Sequence, residues 1–264
     1  MARFCTLFSG SKGNSFYIGC GDCAILIDAG RSAKQLENAL VSNDLDVNTI
    51  KAIFITHEHT DHIQGIRVLA SRYNIKVYAS NGTLNELMRM NILNGKFPYG
   101  IIDSRGIKID GIEVIPFRTS HDSVESVGYI VKTPDKRKIV IATDIGYISD
   151  TVRKSIEGSD LLVIESNHDV RMLQNGSYPY NLKRRILSNI GHLSNEACAK
   201  ELPSLAKTGT TRFVLAHLSS ENNVPELAYE TSRSSLTQAG LKEDVDFKLY
   251  VAPKENIGGK SIIF

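Results

Sequence analysis

An α/β fold with a mixed sheet is what the sequence predicts, on three observations. Short β-branched runs such as Ile53-Phe-Ile and Leu161-Leu-Val-Ile stop abruptly in polar residues and are followed by helix-like patterns, the alternation of strand-helix units. Other runs, at residues 4–18 and 101–117, succeed one another through glycine-bearing turns and read as antiparallel strands. At 264 residues, 42% hydrophobic and 23% charged, the chain buries a large core as one α/β domain or two fused halves.

Composition excludes several classes. A net charge of +2 sets up no global field for a nucleic-acid partner, so any phosphate-binding surface is local. Met1-Ala-Arg-Phe-Cys-Thr leads straight into a strand pattern without a signal-peptide core, and no later run is long and apolar enough for a bilayer. A cytoplasmic protein with no membrane partner is expected. Cys5, Cys20, Cys23 and Cys198 are too few and scattered for a secreted disulfide framework.

Residues 4–8 and 15–18 read as strands joined by Ser9-Gly-Ser-Lys12-Gly-Asn14. This loop lacks the spacing of a nucleotide P-loop. Its glycines admit an anion, so it is either a phosphate contact through Lys12 or Asn14 or a plain tight turn. Cys20-Gly-Asp-Cys23 spells CxxC without the second pair a structural zinc needs, and Gly21-Asp22 between apolar strands fits a hairpin turn. Ala24-Ile-Leu-Ile-Asp28 is the next strand, ahead of a helix over 32–41 that Asp28 is placed to cap.

Next comes Ile53-Phe-Ile-Thr-His57-Glu58-His59-Thr60-Asp61-His62, a buried strand ending in four potential metal ligands. His57 and His59, two apart on a chain leaving a strand, can turn both imidazoles to one side and share a cation. Asp61 and His62 come round the following turn to a neighbouring position, so two ions fit better than one. A zinc finger would use thiolates, and a single-zinc protease would place its histidines four apart on a helix. The competing reading is a solvated helix start, with Thr60 or Asp61 capping a helix over 63–73.

Residues 76–79 read as a strand and 81–90 as a helix capped at Ser80 or Asn81. Gly106 and Gly111 punctuate a meander whose last strand, 113–117, runs into Arg118-Thr-Ser-His121-Asp122. A lone histidine there is usually a surface or core residue, but a strand end and an earlier cage short of a nitrogen make His121 a ligand candidate. A hairpin over 127–132 and 138–143 ends in Asp144, with Ser149 capping a helix over 149–157. The strand from Leu161 leads into Glu165-Ser-Asn167-His168-Asp169, where Glu165 positions a catalytic histidine and Asn167 and His168 line the mouth.

A helix over 178–189 carries Lys183-Arg184-Arg185, either a solvated face or a phosphate contact, just ahead of Gly191-His192-Leu-Ser194-Asn195. Ser194 caps a helix over 195–206 whose free amides suit a phosphate oxygen. The strand 212–216 delivers His217, a helix follows over 225–238, and strands near 247–251 and 261–263 end the chain.

The His57-x-His59-x-Asp61-His62 run resembles the signature of the metallo-β-lactamase-fold hydrolases, and the resemblance covers nearly the whole chain. Glu165-Ser-Asn-His-Asp, Lys183-Arg-Arg-Ile-Leu-Ser and His217-Leu-Ser-x-Glu-Asn-Asn are similar to runs of the YycJ/WalJ-type exonuclease branch. The resemblance implies a single domain over 1–264, a four-layer αββα sandwich of two similar halves with metals at one edge. It implies that His57, His59, His121 and Asp144 hold one divalent ion and Asp61, His62, His217 and Asp144 a second. Asp28 holds the histidine loop in place rather than binding metal. Imidazole and carboxylate suit Zn²⁺ or Mn²⁺.

By the same resemblance a metal-bridging hydroxide is the nucleophile, with Asp61 among the catalytic groups and His192, oriented by Glu165, the general acid. Lys12, Asn14, Lys183, Arg184, Arg185, Ser194 and Asn195 are the expected substrate contacts. The fold signature does not choose a substrate. A full ligand set including Asp61, the Gly191-His192-Leu-Ser element and the adjoining basic triplet select a phosphodiester. About twenty residues between His121 and Asp144 leave no room for the long arm of tRNA 3′-processing relatives. The branch implies a 5′ to 3′ exonuclease on DNA; the alternatives are a thioesterase or lactonase of glyoxalase-II kind and a regulatory metal-binding protein of cell-wall signalling.

Overall fold

In the computed structural model, which describes residues 1–258 and 261–264, β1 (Ala2–Phe8), β2 (Ser15–Cys20) and β3 (Cys23–Ile27) form an antiparallel meander. Cys20 pairs with Cys23 across the two-residue turn, where Gly21 takes a left-handed φ of 61°. The thiols are free, as the hairpin reading of the CxxC requires. β4 (Ile50–Phe54), β5 (Lys76–Ala79) and β6 (Tyr99–Ile101) then add in parallel. The connections are α1 (Ala33–Ser42), then α2 (Thr60–Ile63) with α3 (Ile66–Tyr73), then α4 (Asn81–Arg89).

Period-2 alternation along these strands sorts their side chains. Ala24, Leu26, Ile53, Ile55, Val77 and Ala79 face a cluster with Leu36, Leu40, Ile66, Leu69, Leu84 and Leu87 of the helices. The opposite parity includes Phe54, which stacks on Tyr78 at 5.2 Å and meets Tyr129 edge-on at 5.7 Å.

These elements belong to the first of two compact units, Met1–Pro116, Ser123–Arg137 and Pro253–Phe264. The same unit holds β7 (Ile107–Ile109), most of β8 (Ile112–Arg118), antiparallel to β7, and β9 (Val127–Lys132). The second unit comprises Phe117–Asp122 and Lys138–Ala252. Its β10 (Lys138–Ala142), β11 (Leu161–Glu165), β12 (Arg212–Ala216) and β13 (Lys248–Val251) form a parallel ladder in that order. Ile139–Ala142 and the whole of β11 are buried, the continuous apolar run of strands covered on both faces. β14 (Ile262–Ile263) returns to the first unit and pairs antiparallel with β1. The fold is thus α/β with mixed sheets.

The helices of the second unit are α5 (Asp150–Ile156), α6 (Val170–Asn175), α7 (Tyr180–Ile186), α8 (Asn195–Lys207) and α9 (Pro225–Gln238). Pro203 inside α8 has no amide to give Ala199. The Ser235 hydroxyl of α9 donates to that carbonyl instead, at 2.7 Å.

Two helix expectations are corrected, and one helix is added to them. The helix over 63–73 is two helices capped by His59 and Gly65, neither by Thr60 nor Asp61. Gly65 donates its amide to Ala29 O at 2.8 Å, and a Cβ there would lie 2.3 Å from Arg31 O, so this close approach breaks the helix. The helix over 178–189 is only α7, because Ile186 O turns to accept the His192 amide at 3.0 Å. The residues after β11 wind into α6, whose cap Asp169 accepts from the Met172 amide at 2.7 Å. Among the described residues no helix is long and apolar enough to cross a membrane.

Candidate metal centre

In the first unit the histidine loop hangs on Asp28. β3 ends at Ile27, and Asp28 turns the chain with a left-handed φ of 63°, a conformation that Asp tolerates better than most residues. Its Oδ1 accepts the Thr56 amide at 2.8 Å, and its Oδ2 accepts the Thr56 hydroxyl at 2.9 Å and His62 Nδ1 at 2.7 Å. Asp28 is therefore no helix cap; Ser32 caps α1. Burial pushes the Asp28 carboxyl above its ordinary pKa, against the pull of His62 and Thr56. Both Asp28 oxygens already accept from Thr56, so the carboxyl accepts the Nδ1 proton of His62 and leaves Nε2 its lone pair.

His62 Nε2 lies 3.4 Å from Asp61 Oδ2. The His57 ring centroid lies 4.5 Å from that of His59 and 4.1 Å from that of His62. The unit thus brings His57, His59, Asp61 and His62 close together on one loop, each beside the next.

Asn14 corrects the expectation of a phosphate contact. It is fully buried, accepts the Gly10 amide at 2.9 Å, and directs Nδ2 at Asp61 Oδ2 and His62 Nε2, each at 3.2 Å. Its backbone amide donates to Asp61 O at 2.8 Å, and its carbonyl accepts the Gly30 amide at 2.9 Å. A Cβ on Gly30 would lie 1.7 Å from Asp61 O. The glycine-rich loop is therefore a cradle for Asp61, with Lys12 exposed at its tip.

The second unit is organised by Glu165, fully buried at the end of β11. Oε1 accepts from His192 Nδ1 at 2.7 Å and from His217 Nδ1 at 2.9 Å; Oε2 accepts the Ile145 and Leu193 amides at 2.9 and 3.1 Å. Burial opposes the charge, but the two histidines hold the Glu165 carboxyl well below the usual carboxylate range. Asp144 Oδ1 lies 3.3 Å from His217 Nδ1 and 3.7 Å from His121 Nε2. Asp144, Glu165, His192 and His217 each present a donor atom within 4.8 Å of the others. Asp144 and His217 both turn their strand ends with φ of 56°.

His121 Nδ1 donates to Gly191 O at 3.1 Å. Burial pushes its pKa down, against the charge of Asp144, and the Nδ1 proton given to Gly191 O leaves the lone pair on Nε2. His62, His121 and His217 share one pattern: Nδ1 is engaged by a carboxylate or carbonyl, the arrangement that orients metal-binding imidazoles.

The basic triplet divides three ways. Lys183 Nζ donates to Gln174 O and Gly176 O at 2.9 and 2.7 Å, closing the end of α6. Arg185 pairs with Asp122 through both carboxylate oxygens. Arg184 lies 5.8 Å over the Tyr180 ring. Ser194 caps α8 by accepting from the Ala197 amide at 3.2 Å. Asn195, expected at the substrate, is fully buried and accepts from the Ser166 hydroxyl at 2.6 Å. Asn167 and His168 do not line a mouth either. Both are buried, and Asn167 Nδ2 donates to His217 O at 2.8 Å. Sequence reasoning missed Thr56, whose signal is its adjacency to His57, and named Gly191 and Asn223 only as members of longer runs, whereas Gly191 O accepts from His121 and Asn223 Nδ2 donates to Ser166 O and Asn167 O.

Residues 24–218 match the model of the beta-lactamase superfamily domain. The chain is similar, at 39% identity over 252 residues and 94% of each chain, to exodeoxyribonuclease YycJ of Bacillus anthracis. It is similar at 40% identity, over 94% of this chain and 93% of the relative, to exodeoxyribonuclease WalJ of Streptococcus pneumoniae. Its fold is similar to the crystal structure of the metallo-β-lactamase fold protein YhfI from Bacillus subtilis, with a TM-score of 0.73 over 99% of this chain and 98% of that one at 14% identity.

Proposed function

The chain belongs to the beta-lactamase superfamily and is a metal-dependent hydrolase, and we propose that it hydrolyses the phosphodiesters of DNA as a 5′ to 3′ exonuclease. The observation that carries the reading is Glu165 Oε1, which accepts from His192 and His217 at once. One carboxylate thereby orients a ligand candidate and an acid candidate together. The exonucleases similar over 94% of the chain support DNA as the substrate.

Divalent ions, Zn²⁺ or Mn²⁺, would be held by His57, His59, Asp61 and His62 of the first unit and by His121, Asp144 and His217 of the second. The donor set fits: no thiolate takes part, and the engaged Nδ1 atoms leave Nε2 for coordination. Such ions lower the pKa of a water and polarise a phosphoryl oxygen.

The chain's own residues supply the rest. Asn14 and Gly30 fix Asp61, and Asp28 and Thr56 fix His62. His192 gives Nδ1–H to Glu165, so the proton for the leaving alkoxide sits on Nε2. In-line displacement expels an oxygen that must be protonated to leave, which is why a phosphodiesterase needs this acid more than a thioesterase does.

The test is digestion of 5′-labelled single-stranded and duplex DNA by purified protein with Mn²⁺ or Zn²⁺. Labelled mononucleotide appears first, and Asp144→Asn abolishes its release. Label released only from 3′-labelled ends overturns the polarity. Hydrolysis of thioesters or lactones without any nucleotide release overturns the nuclease reading.

A further inference from the structure

α7 presents an aromatic and a cation that nothing in the fold uses. Tyr180 is 73% exposed, and no other tyrosine or phenylalanine among the described residues is as open. Its hydroxyl makes no hydrogen bond among them. Its two basic neighbours are committed, Lys183 to backbone carbonyls and Arg185 to Asp122. Arg184 has no carboxylate partner among the described residues; it lies one turn beyond Tyr180 with its guanidinium 5.8 Å over the ring. Beyond α7, Leu187 and Ile190 are 45% and 52% exposed, so the apolar strip continues to Gly191.

The helix leads to the acid candidate. Its C-terminal Ile186 O accepts the His192 amide at 3.0 Å. The turn is held rigidly: a Cβ on Gly146 would lie 2.2 Å from Asn189 O, and the Asp122 amide donates to Ile190 O at 3.1 Å. At 1.5 Å per residue, α7 sets Tyr180 about 10 Å from that turn, or about three stacked steps of a strand at 3.4 Å each.

We propose that Tyr180 and Arg184 form a stacking platform for the bases of a single nucleic-acid strand whose scissile phosphate lies near His192. This rests on the nuclease reading and extends it to strand choice. A ring capped by a guanidinium offers every base a π-face without reading its edges, and duplex bases, stacked on each other, have none to give. The platform therefore favours single-stranded substrate or a frayed end, independent of sequence.

The chain contains no tryptophan, so Tyr180→Trp places a single fluorophore on the platform. Holoenzyme with this substitution, titrated with a phosphorothioate single-stranded oligonucleotide, shows saturable quenching of emission. Tyr180→Ala raises KM on single-stranded DNA about 5- to 150-fold with a much smaller change in kcat, and Tyr180→Phe restores it, since the ring rather than the hydroxyl acts. Unquenched emission with wild-type KM in Tyr180→Ala overturns the platform while wild-type digestion of DNA still stands. A wild-type enzyme that neither binds the oligonucleotide nor digests DNA removes the nuclease reading and the platform with it.

Discussion

His62 Nδ1 donates to Asp28 Oδ2 at 2.7 Å, from a ring with no solvent exposure to a carboxylate with none. The same carboxylate takes both the amide and the hydroxyl of Thr56, so one buried group sets the start of the histidine loop and the tautomer of its last ligand. Asp28→Asn keeps a residue that tolerates the left-handed turn but turns an NH₂ towards donors. Affinity for the divalent ions falls about 10- to 100-fold, read by competition with a chromogenic chelator. Unchanged affinity would show that His62 is oriented by something other than Asp28.

Glu165→Gln acts on two histidines, and that separates it from His192→Ala. The amide replaces an acceptor of four donors by a group that is half donor, and stability falls by about 3 kcal/mol. It loosens His217 as well as His192, so metal affinity and kcat both drop. His192→Ala lowers kcat about 10²- to 10⁴-fold and leaves metal content at the wild-type level. Metal analysis beside single-turnover rates on DNA distinguishes the two.

Much of this architecture is legible in the chain because strand ends announce themselves. β-Branched runs that stop at Thr56, Asp144, Glu165 and His217 mark where buried strands surface. Ser80, Ser149 and Ser194 each accept from the amide three residues on, the local chemistry that makes caps readable. Tertiary contact decides the rest. Asn14 and Asn195 look like exposed loop residues in the sequence, yet each is fully buried among groups remote in the chain. The left-handed turns at Asp144 and His217 carry no glycine to signal them. Lys183, Arg184 and Arg185 are alike as a run and differ only through Gly176, Tyr180 and Asp122.

Gly191 is a packing glycine at the root of the acid candidate. A Cβ there would lie 2.2 Å from Ile186 O and 2.3 Å from Arg185 O. Both obstacles are backbone, so no side chain can swing away. Its own carbonyl accepts His121 Nδ1. Gly191→Ala therefore displaces both His121 and His192, costing about 1–3 kcal/mol of stability and most of the activity. Urea unfolding and DNA turnover check it; a variant with wild-type values would mean that the turn relaxes at no cost.

His168 gives the protein an acid sensitivity separable from loss of metal. It is 1% exposed, and neither ring nitrogen has a hydrogen-bond partner among the described residues. Burial lowers its pKa below the ordinary 6.5, with Glu165 pulling the other way. The unfolded chain thus binds this proton at higher pH than the folded one, and stability rises with pH between the two pKa values. Above 6.5 the ring is neutral in both states and costs nothing through titration. As pH falls from 6.5 through the lower folded value, that stability is lost, and below it the loss is constant. His168→Phe fills the space with an apolar ring that does not titrate. Urea midpoints at pH 8 and pH 5 measure the effect as wild type minus variant, so metal release and the other histidines cancel. The wild type loses more between the two conditions than His168→Phe does. Equal losses would show that the buried imidazole finds a partner when it protonates.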